Sequence, residues 1–441
     1  MIKKYFLPGL LAALCGCQLP PENHTRVSAA LEQRTGKYVG DAPAGKFTLP
    51  PGVSLQDGLT EEGAIRIALW NNAAFQETLA DLGISRADLV QAGMLPNPTL
   101  SMLVPWGAKP LELTAKYPLE ALWLRPKRVA HAEASYEQTV QRLTQAGLDL
   151  IRDVKVAFAD LALTKERLRS AGQTVSLATN IARLSKARLD AGDASELEAG
   201  MSHVEALQSG ELLARTRHDE RMATERLRAL LGMGLRPFPE RIVEPATERV
   251  NADMTGLVTN ALAARPDLRA AEIAIESSGK RIGLARWEAF TLAAGVNAKD
   301  VSKEFLAGPT VDFAVPVVNQ NQGGIALAKA NFEKSARHYY SVRDRIVLEV
   351  REAHNRAAQA QESVDNWQQH ILPPFEEAVR QSQKAYEAGD VSLLLTLESS
   401  RRLEDARAKA ALARADLHRA TAELERSLGG RLPPSTAEQL K

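Results

Sequence analysis

The chain has 441 residues, with 55 basic and 54 acidic side chains and a net charge of +1. That balance offers no polycationic surface for nucleic acid, and two cysteines, both within the first 17 residues, exclude a disulfide framework for the rest of the chain. Aromatic residues are only 5%; with Ala, Leu, Arg and Glu dominant, the composition reads as long helices and coiled coil rather than two or three compact domains.

Residues 1–16 have the form of a secretory signal peptide: Lys3 and Lys4, then a short apolar stretch over Tyr5–Leu14, well below the ~20 residues of a spanning helix. Leu14-Cys15-Gly16-Cys17 is similar to a bacterial lipobox, with leucine at −3 and a small residue at −1 of Cys17. Cys17 would then carry a covalent lipid, diacylglycerol plus N-acyl. An ordinary cleaved signal with two incidental cysteines is the other reading. Gln18 stands where an aspartate would argue for inner-membrane retention, so the sorting rule implies the outer membrane.

The stretch 17–58, rich in proline and polar residues, is expected as an extended lipidated linker or wrapping arm. A helical period then starts at a capping threonine, Thr60, followed by Glu61 and Glu62, and persists to about Gly93. Pro96-Asn97-Pro98 breaks it. Leu111–Tyr117 alternates strictly between apolar and polar, and Thr99–Met102 does so more weakly, which predicts a β-hairpin. A second hairpin is predicted from Thr291–Lys299 and Thr310–Val315 around a loop at Asp300–Glu304.

Helix formers without proline run from Pro126 to about Asp190. A second such stretch, 324–387, is interrupted only by Pro373-Pro374. Each would be about 95–100 Å long at 1.5 Å per residue. Ala191-Gly192-Asp193 and Ala388-Gly389-Asp390 are expected helix-hairpin tips, glycine ending one helix and aspartate capping the next. Return helices follow to Leu231 and Leu428.

These elements come twice. Gly192 and Gly232 recur as Gly389 and Gly429, an offset of 197; Pro118 recurs as Pro316, an offset of 198; Ala68-Leu69 recurs as Ala261-Leu262, an offset of 193. The period is too long for a solenoid. The expected organisation is a first unit over 59–232, a second over 233–430 and a tail over 431–441. The fold class is mainly α with a small β part: a long helical tunnel plus two β-hairpins per chain. Four strands cannot close a barrel, and an open sheet edge is not viable in a bilayer. Three chains would supply twelve strands, within the range of outer-membrane barrels.

At this point the sequence resembles the TolC-like outer-membrane efflux channels over roughly Leu59–Gly429. The likeness rests on the doubled plan, on Leu95-Pro96-Asn97-Pro98 before the first strand, on Gly389-Asp390-Val391-Ser392 with Leu394 and Leu397, and on the ending Ser427-Leu428-Gly429-Gly430. Pro316–Gly323 is similar to the strand-to-helix turn of the heavy-metal (CzcC-like) branch; Pro316, Asn321, Gln322 and Gly323 match, while Val318, Asn319 and Gln320 depart from Phe, Asp and Arg.

The resemblance implies a homotrimeric, twelve-stranded barrel on a helical tunnel. It would serve as the passive exit duct of a tripartite efflux pump, with a periplasmic adaptor (membrane fusion protein) and an inner-membrane RND-type pump as partners. It also implies a periplasmic gate at Tyr386 and Glu398, with Leu395 replacing the acid between them; the first unit supplies Glu198. Three chains would gather six carboxylates, whose mutual repulsion raises pKa values and attracts cations. Gly192, Asp193, Gly389 and Asp390 would dock the adaptor, and Asn319, Gln320, Asn321, Gln322 and Gly323 would form the strand-to-helix turn.

A solvated-helix role is the alternative for both glutamates, and a packing role for Tyr386. His203 and His218, or His354 and His370, lie too far apart in sequence for a helical ligand pair, and no nucleophile motif or phosphate loop emerges. No metal site, no cofactor beyond the lipid and no enzyme activity is expected. The alternative function is a periplasmic coiled-coil lipoprotein or adaptor without a channel.

Overall fold

The computed structural model describes residues 24–40, 43, 45–104, 110–243, 253–301, 304–388 and 390–432. The signal peptide, Cys17 and Gly389 lie outside the described residues.

The segment before Thr60 is not wholly extended. It contains a helix, α1 (Thr25–Thr35), because Val27 and Leu31, one turn apart, bury completely. Leu31 packs so closely on Gly147 that a Cβ there would meet its Cδ1 at 2.6 Å. The predicted capping threonine is confirmed: Thr60 Oγ1 accepts from Gly63 N–H at 3.0 Å and opens α2 (Glu61–Asn71). Asn72 breaks the predicted single helix and caps α3 (Ala73–Gly93), its Oδ1 accepting from Phe75 N–H.

Strands β1 (Thr99–Leu103) and β2 (Glu112–Pro118) follow, then α4 (Glu120–Asp190) and α5 (Glu196–Leu230). At 71 residues α4 is about 107 Å long. It starts six residues before Pro126, which lies in the second turn. The second half repeats this order with α6 (Met254–Ala264), α7 (Pro266–Trp287), β3 (Thr291–Val301), β4 (Glu304–Ala314), α8 (Gln322–Asn366), α9 (Leu372–Glu387) and α10 (Leu393–Leu428). A single π-turn, Trp367–Ile371, separates α8 from α9 just before Pro373-Pro374. Prolines remove two helical donors, and a local widening of the helix is one way to accommodate that.

The strands form one antiparallel sheet in the order β1-β2-β3-β4. The β2–β3 pairing, Glu112 opposite Lys299 through Pro118 opposite Ala293, welds the two hairpins together. β4 begins at Glu304, six residues before the predicted start at Thr310, so most of the expected loop is paired strand.

Two large apolar clusters hold the helices, with a small third at Leu163, Ala411 and Ala415 between α4 and α10. One joins α1–α5 around Leu69, Leu79, Phe158 and Leu227; the other joins α6–α8 and α10 around Leu257, Ile346, Leu417 and Leu424. Ion pairs stitch them across α4 and α10: Lys155–Glu425 at 2.6 Å and Arg419–Asp160 at 2.5 Å. No helix among the described residues is long and apolar enough to cross a membrane.

Candidate functional site

The sheet sorts its side chains by chemistry. In the observed register Leu100, Met102, Leu113, Ala115, Tyr117, Leu292, Ala294, Val296, Ala307, Pro309, Val311 and Phe313 share one face. The chain itself does not cover that face: Leu100 is 75% exposed and Val311 69%. The opposite face carries Thr99, Ser101, Glu112, Thr114, Lys116, Asn297, Lys299, Thr310 and Asp312, with Leu103 and Leu306 joining them toward the hairpin ends.

Its polar groups are braced. Asn297 Nδ2 donates to Glu112 Oε1 at 2.6 Å and to Thr114 Oγ1 at 2.8 Å. Lys116 reaches across β3 to Asp312 at 2.7 Å. Gly295 makes this possible, since a Cβ there would meet Ala115 O at 2.2 Å and Lys116 Cγ at 3.0 Å. None of these residues was singled out from sequence. The alternation at Leu111–Tyr117 did carry the information, because a period of two assigns Glu112, Thr114 and Lys116 to one face.

The strand-to-helix turn is a structural clamp. Asn321 takes the left-handed conformation (φ 60°), the one described non-glycine residue to do so. Asparagine is among the few residues other than glycine that visit this region routinely. Asn321 Nδ2 donates to Ala285 O on α7 at 2.8 Å, its N–H donates to Asn319 Oδ1, and Gln322 Nε2 donates to Val318 O. Gln320 N–H donates to Gln322 Oε1. Gly323 opens the first turn of α8, where it is exposed. These contacts pin the start of α8 to the end of α7.

At the far end of the helices the tips differ from expectation in one respect: the aspartates do not cap the return helices. Ser195 does, accepting from Glu198 N–H at 3.1 Å, and Ser392 does, accepting from Leu395 N–H at 3.4 Å. Asp193 and Asp390 instead close the preceding helices through their N–H groups, bonded to Arg188 O and Ala385 O. That is the six-to-one bond of a Schellman motif. Gly192 (φ 84°), Asp193 and Asp390 are exposed.

Neither predicted gate carboxylate stands free. Glu198 pairs with Arg188 at 3.1 Å across the first hairpin. Glu398 pairs with Arg401 at 2.9 Å and Arg402 at 3.1 Å. Within one chain the Arg401 hydrogen bond, partly opposed by burial and aided by Arg402, holds Glu398 below its ordinary pKa. Arg401 also reaches Glu205 on α5 at 3.4 Å, linking the two helical hairpins. Sequence reasoning had found the acids but not Arg188 and Arg401, whose partners are set by three-dimensional packing. Tyr386 is 44% exposed. No cluster of three or more metal-ligating side chains exists among the described residues.

Comparison with known proteins places this geometry. Residues 257–430 match the family model described as outer membrane efflux protein. The cobalt-zinc-cadmium resistance protein CzcC of Cupriavidus metallidurans is 24% identical over 382 residues, covering 84% of this chain and 90% of that protein. The Campylobacter jejuni CmeC outer membrane channel superposes with a TM-score of 0.70 at 13% identity, covering 96% of each chain. The open-state Neisseria gonorrhoeae MtrE outer membrane channel gives 0.62 at 19% identity, covering 90% of this chain and 98% of that one. With a doubled helix–hairpin–helix plan and a two-faced sheet, the chain has the fold of these outer membrane channels, and its residues 257–430 are similar to the outer membrane efflux protein family.

Proposed function

We propose that three copies of this chain assemble into the outer-membrane exit duct of a tripartite efflux pump, lipid-anchored through Cys17. The observation that carries the reading is the four-stranded sheet with one uncovered apolar face, one braced polar face and unpaired edges at β1 and β4. An open edge in hydrocarbon leaves backbone donors and acceptors unsatisfied, so neighbouring copies must pair edge to edge. The 11-residue β3 and β4 match the ~9–11 residues of a tilted spanning strand. The apolar face then meets lipid, and the Lys116–Asp312 face lines the lumen.

The helices extend the lumen through the periplasm. Their tips, at Gly192-Asp193 and Gly389-Asp390, are the surfaces for a periplasmic adaptor, which connects the duct to an inner-membrane RND-type pump. Tyr386, Glu198 and Glu398 narrow the entrance. Their arginine partners make this a latched gate: opening separates Arg188 from Glu198 and Arg401 from Glu205, and docked partners bias that two-state change. Divalent metal cations are the cargo class we assign, supported by the likeness to CzcC and by the Asn321-Gln322-Gly323 turn.

Extraction of outer membranes should yield heat-resistant trimers; a monomer in the soluble fraction would overturn the duct. In planar bilayers, Glu198→Ala with Glu398→Ala should raise conductance, and unchanged currents would remove the gate assignment. A deletion strain should lose zinc or cobalt tolerance if metal is the cargo.

A further inference from the structure

We propose that the junction between helices and sheet is a binding collar for anionic phospholipid headgroups, a reading that rests on the sheet spanning a bilayer. Five elements, α3, α4, α7, α8 and β3, meet at this level. Leu119 N–H bonds to Leu292 O and Leu292 N–H to Glu120 Oε2, fixing the start of α4 beside the start of β3. Arg125 Nε donates to Gly93 O, adding the end of α3, and Asn321 adds the start of α8. Where the apolar sheet face stops, the headgroup zone of a membrane would begin.

The junction concentrates cations that no carboxylate answers among the described residues. Arg125 holds only the Gly93 carbonyl, and Lys127 lies 5.5 Å from the Trp287 ring centroid. Arg128 is half-buried behind them, its Nε and Nη2 shielded from solvent and without an acceptor among the described residues. Arg286 is exposed and has no ion-pair partner among the described residues. Several other helix arginines are braced by an acid one turn away, as in Arg169–Glu166, Arg215–Glu211 and Arg356–Glu352.

Arg125, Lys127 and Arg128 lie in the second and third turns of α4, past Glu120 in its first turn. Trp287 and Phe290, both more than 40% exposed, stand beside the cations. An amphipathic indole next to unpaired Lys and Arg is the chemistry of a membrane interface. Phosphate oxygens of an anionic lipid would supply the missing acceptors, with Arg125, Lys127 and Arg286 as donors, Arg128 adding positive charge behind them, and Trp287 at the glycerol level.

The test compares the purified full-length protein co-floated with vesicles of phosphatidylcholine alone and with vesicles containing phosphatidylglycerol. Lipid phosphorus retained per chain after detergent exchange is the readout. The wild type should retain phosphatidylglycerol in preference, and the Arg125→Gln, Lys127→Gln, Arg128→Gln triple variant should lose the preference, by about fivefold for each cation removed. A triple Arg→Lys/Lys127→Arg variant, which keeps the charge, should retain it and shows that loss is not misfolding.

Equal flotation and equal retention with both vesicles would overturn the collar while leaving the membrane-spanning reading intact. Flotation with neither would sink both. Displacement of the lipid by millimolar inorganic phosphate would also overturn it, because the site would then select free anions.

Discussion

At the scale of single residues, the two halves solve one structural problem with different chemistry. Asn72 and Arg265 both sit at the break between consecutive helices. Asn72 Nδ2 donates to Leu230 O, and Arg265 Nη1 donates to Ser427 O, each reaching the last turn of the return helix of its own half. Arg265 does more. Its side chain is 2% exposed and pairs with Asp267 at 2.6 Å and Glu349 at 2.5 Å. Burial alone would raise the Glu349 carboxyl, but the Arg265 bond and charge, joined by Arg426, outweigh it and hold the group below its ordinary value. Removing one partner of a buried network leaves the others uncompensated, so Arg265→Ala should cost about 3–5 kcal/mol, read as a lowered thermal midpoint of the extracted protein. Because Glu349 is depressed in the folded state, its contribution is complete above the ordinary carboxylate range and is lost as pH falls through the folded value. The wild-type midpoint should therefore drop below about pH 4, and the Arg265→Ala profile should be flatter there. A parallel drop in both proteins would show that Glu349 is not the group involved. None of this network was legible beforehand: sequence order says that Arg265 precedes Pro266, but not that Glu349 and Ser427 fold onto it.

At the scale of elements, turns were the most readable part of the chain and caps the least. Glycines at 192, 232 and 429 all adopt left-handed geometry at helix ends, which follows from their lack of Cβ. They are not equivalent in packing. A Cβ on Gly192 would meet nothing within 4 Å, whereas one on Gly232 would meet Asn71 O at 2.0 Å. Gly192→Ala should thus cost only the conformational strain, about 1–2 kcal/mol. Gly232→Ala should cost clearly more, because backbone must move at the α2–α3 break. Thermal midpoints of the two variants decide this; equal losses would mean that the packing at Gly232 yields. The cap assignment to Asp193 and Asp390 failed because serine two residues later competes for the same job, and sequence alone does not say where a tight turn ends. The second-strand boundary failed for a similar reason: charged residues at Asp300 and Glu304 read as loop, yet a long hairpin keeps pairing into its polar tip.

At the scale of the whole molecule, the doubled plan and the hairpins were visible in the sequence because periodicity is a local property that survives without contacts. What the period could not give was the order β1-β2-β3-β4, in which the halves meet at β2 and β3, or the charge pair that spans them. That pair makes the lumen proposal open to a direct electrical test. Lys116 and Asp312 neutralise each other across Gly295 on the polar face, so each chain contributes little net field at that level. Asp312→Ala would leave the Lys116 ammonium alone, and three copies would place three unpaired cations around one ring. Charged rings set ion preference in narrow polar pores. The reversal potential of the reconstituted duct in a salt gradient should then move toward anion selectivity, and Lys116→Ala should move it toward cations. The double variant should return near the wild type, since the field depends on the sum. Val311→Asn, one residue away on the opposite face, should leave selectivity alone and instead weaken membrane insertion. If Val311→Asn shifted the potential and Asp312→Ala did not, the lumen and lipid faces would have to be exchanged.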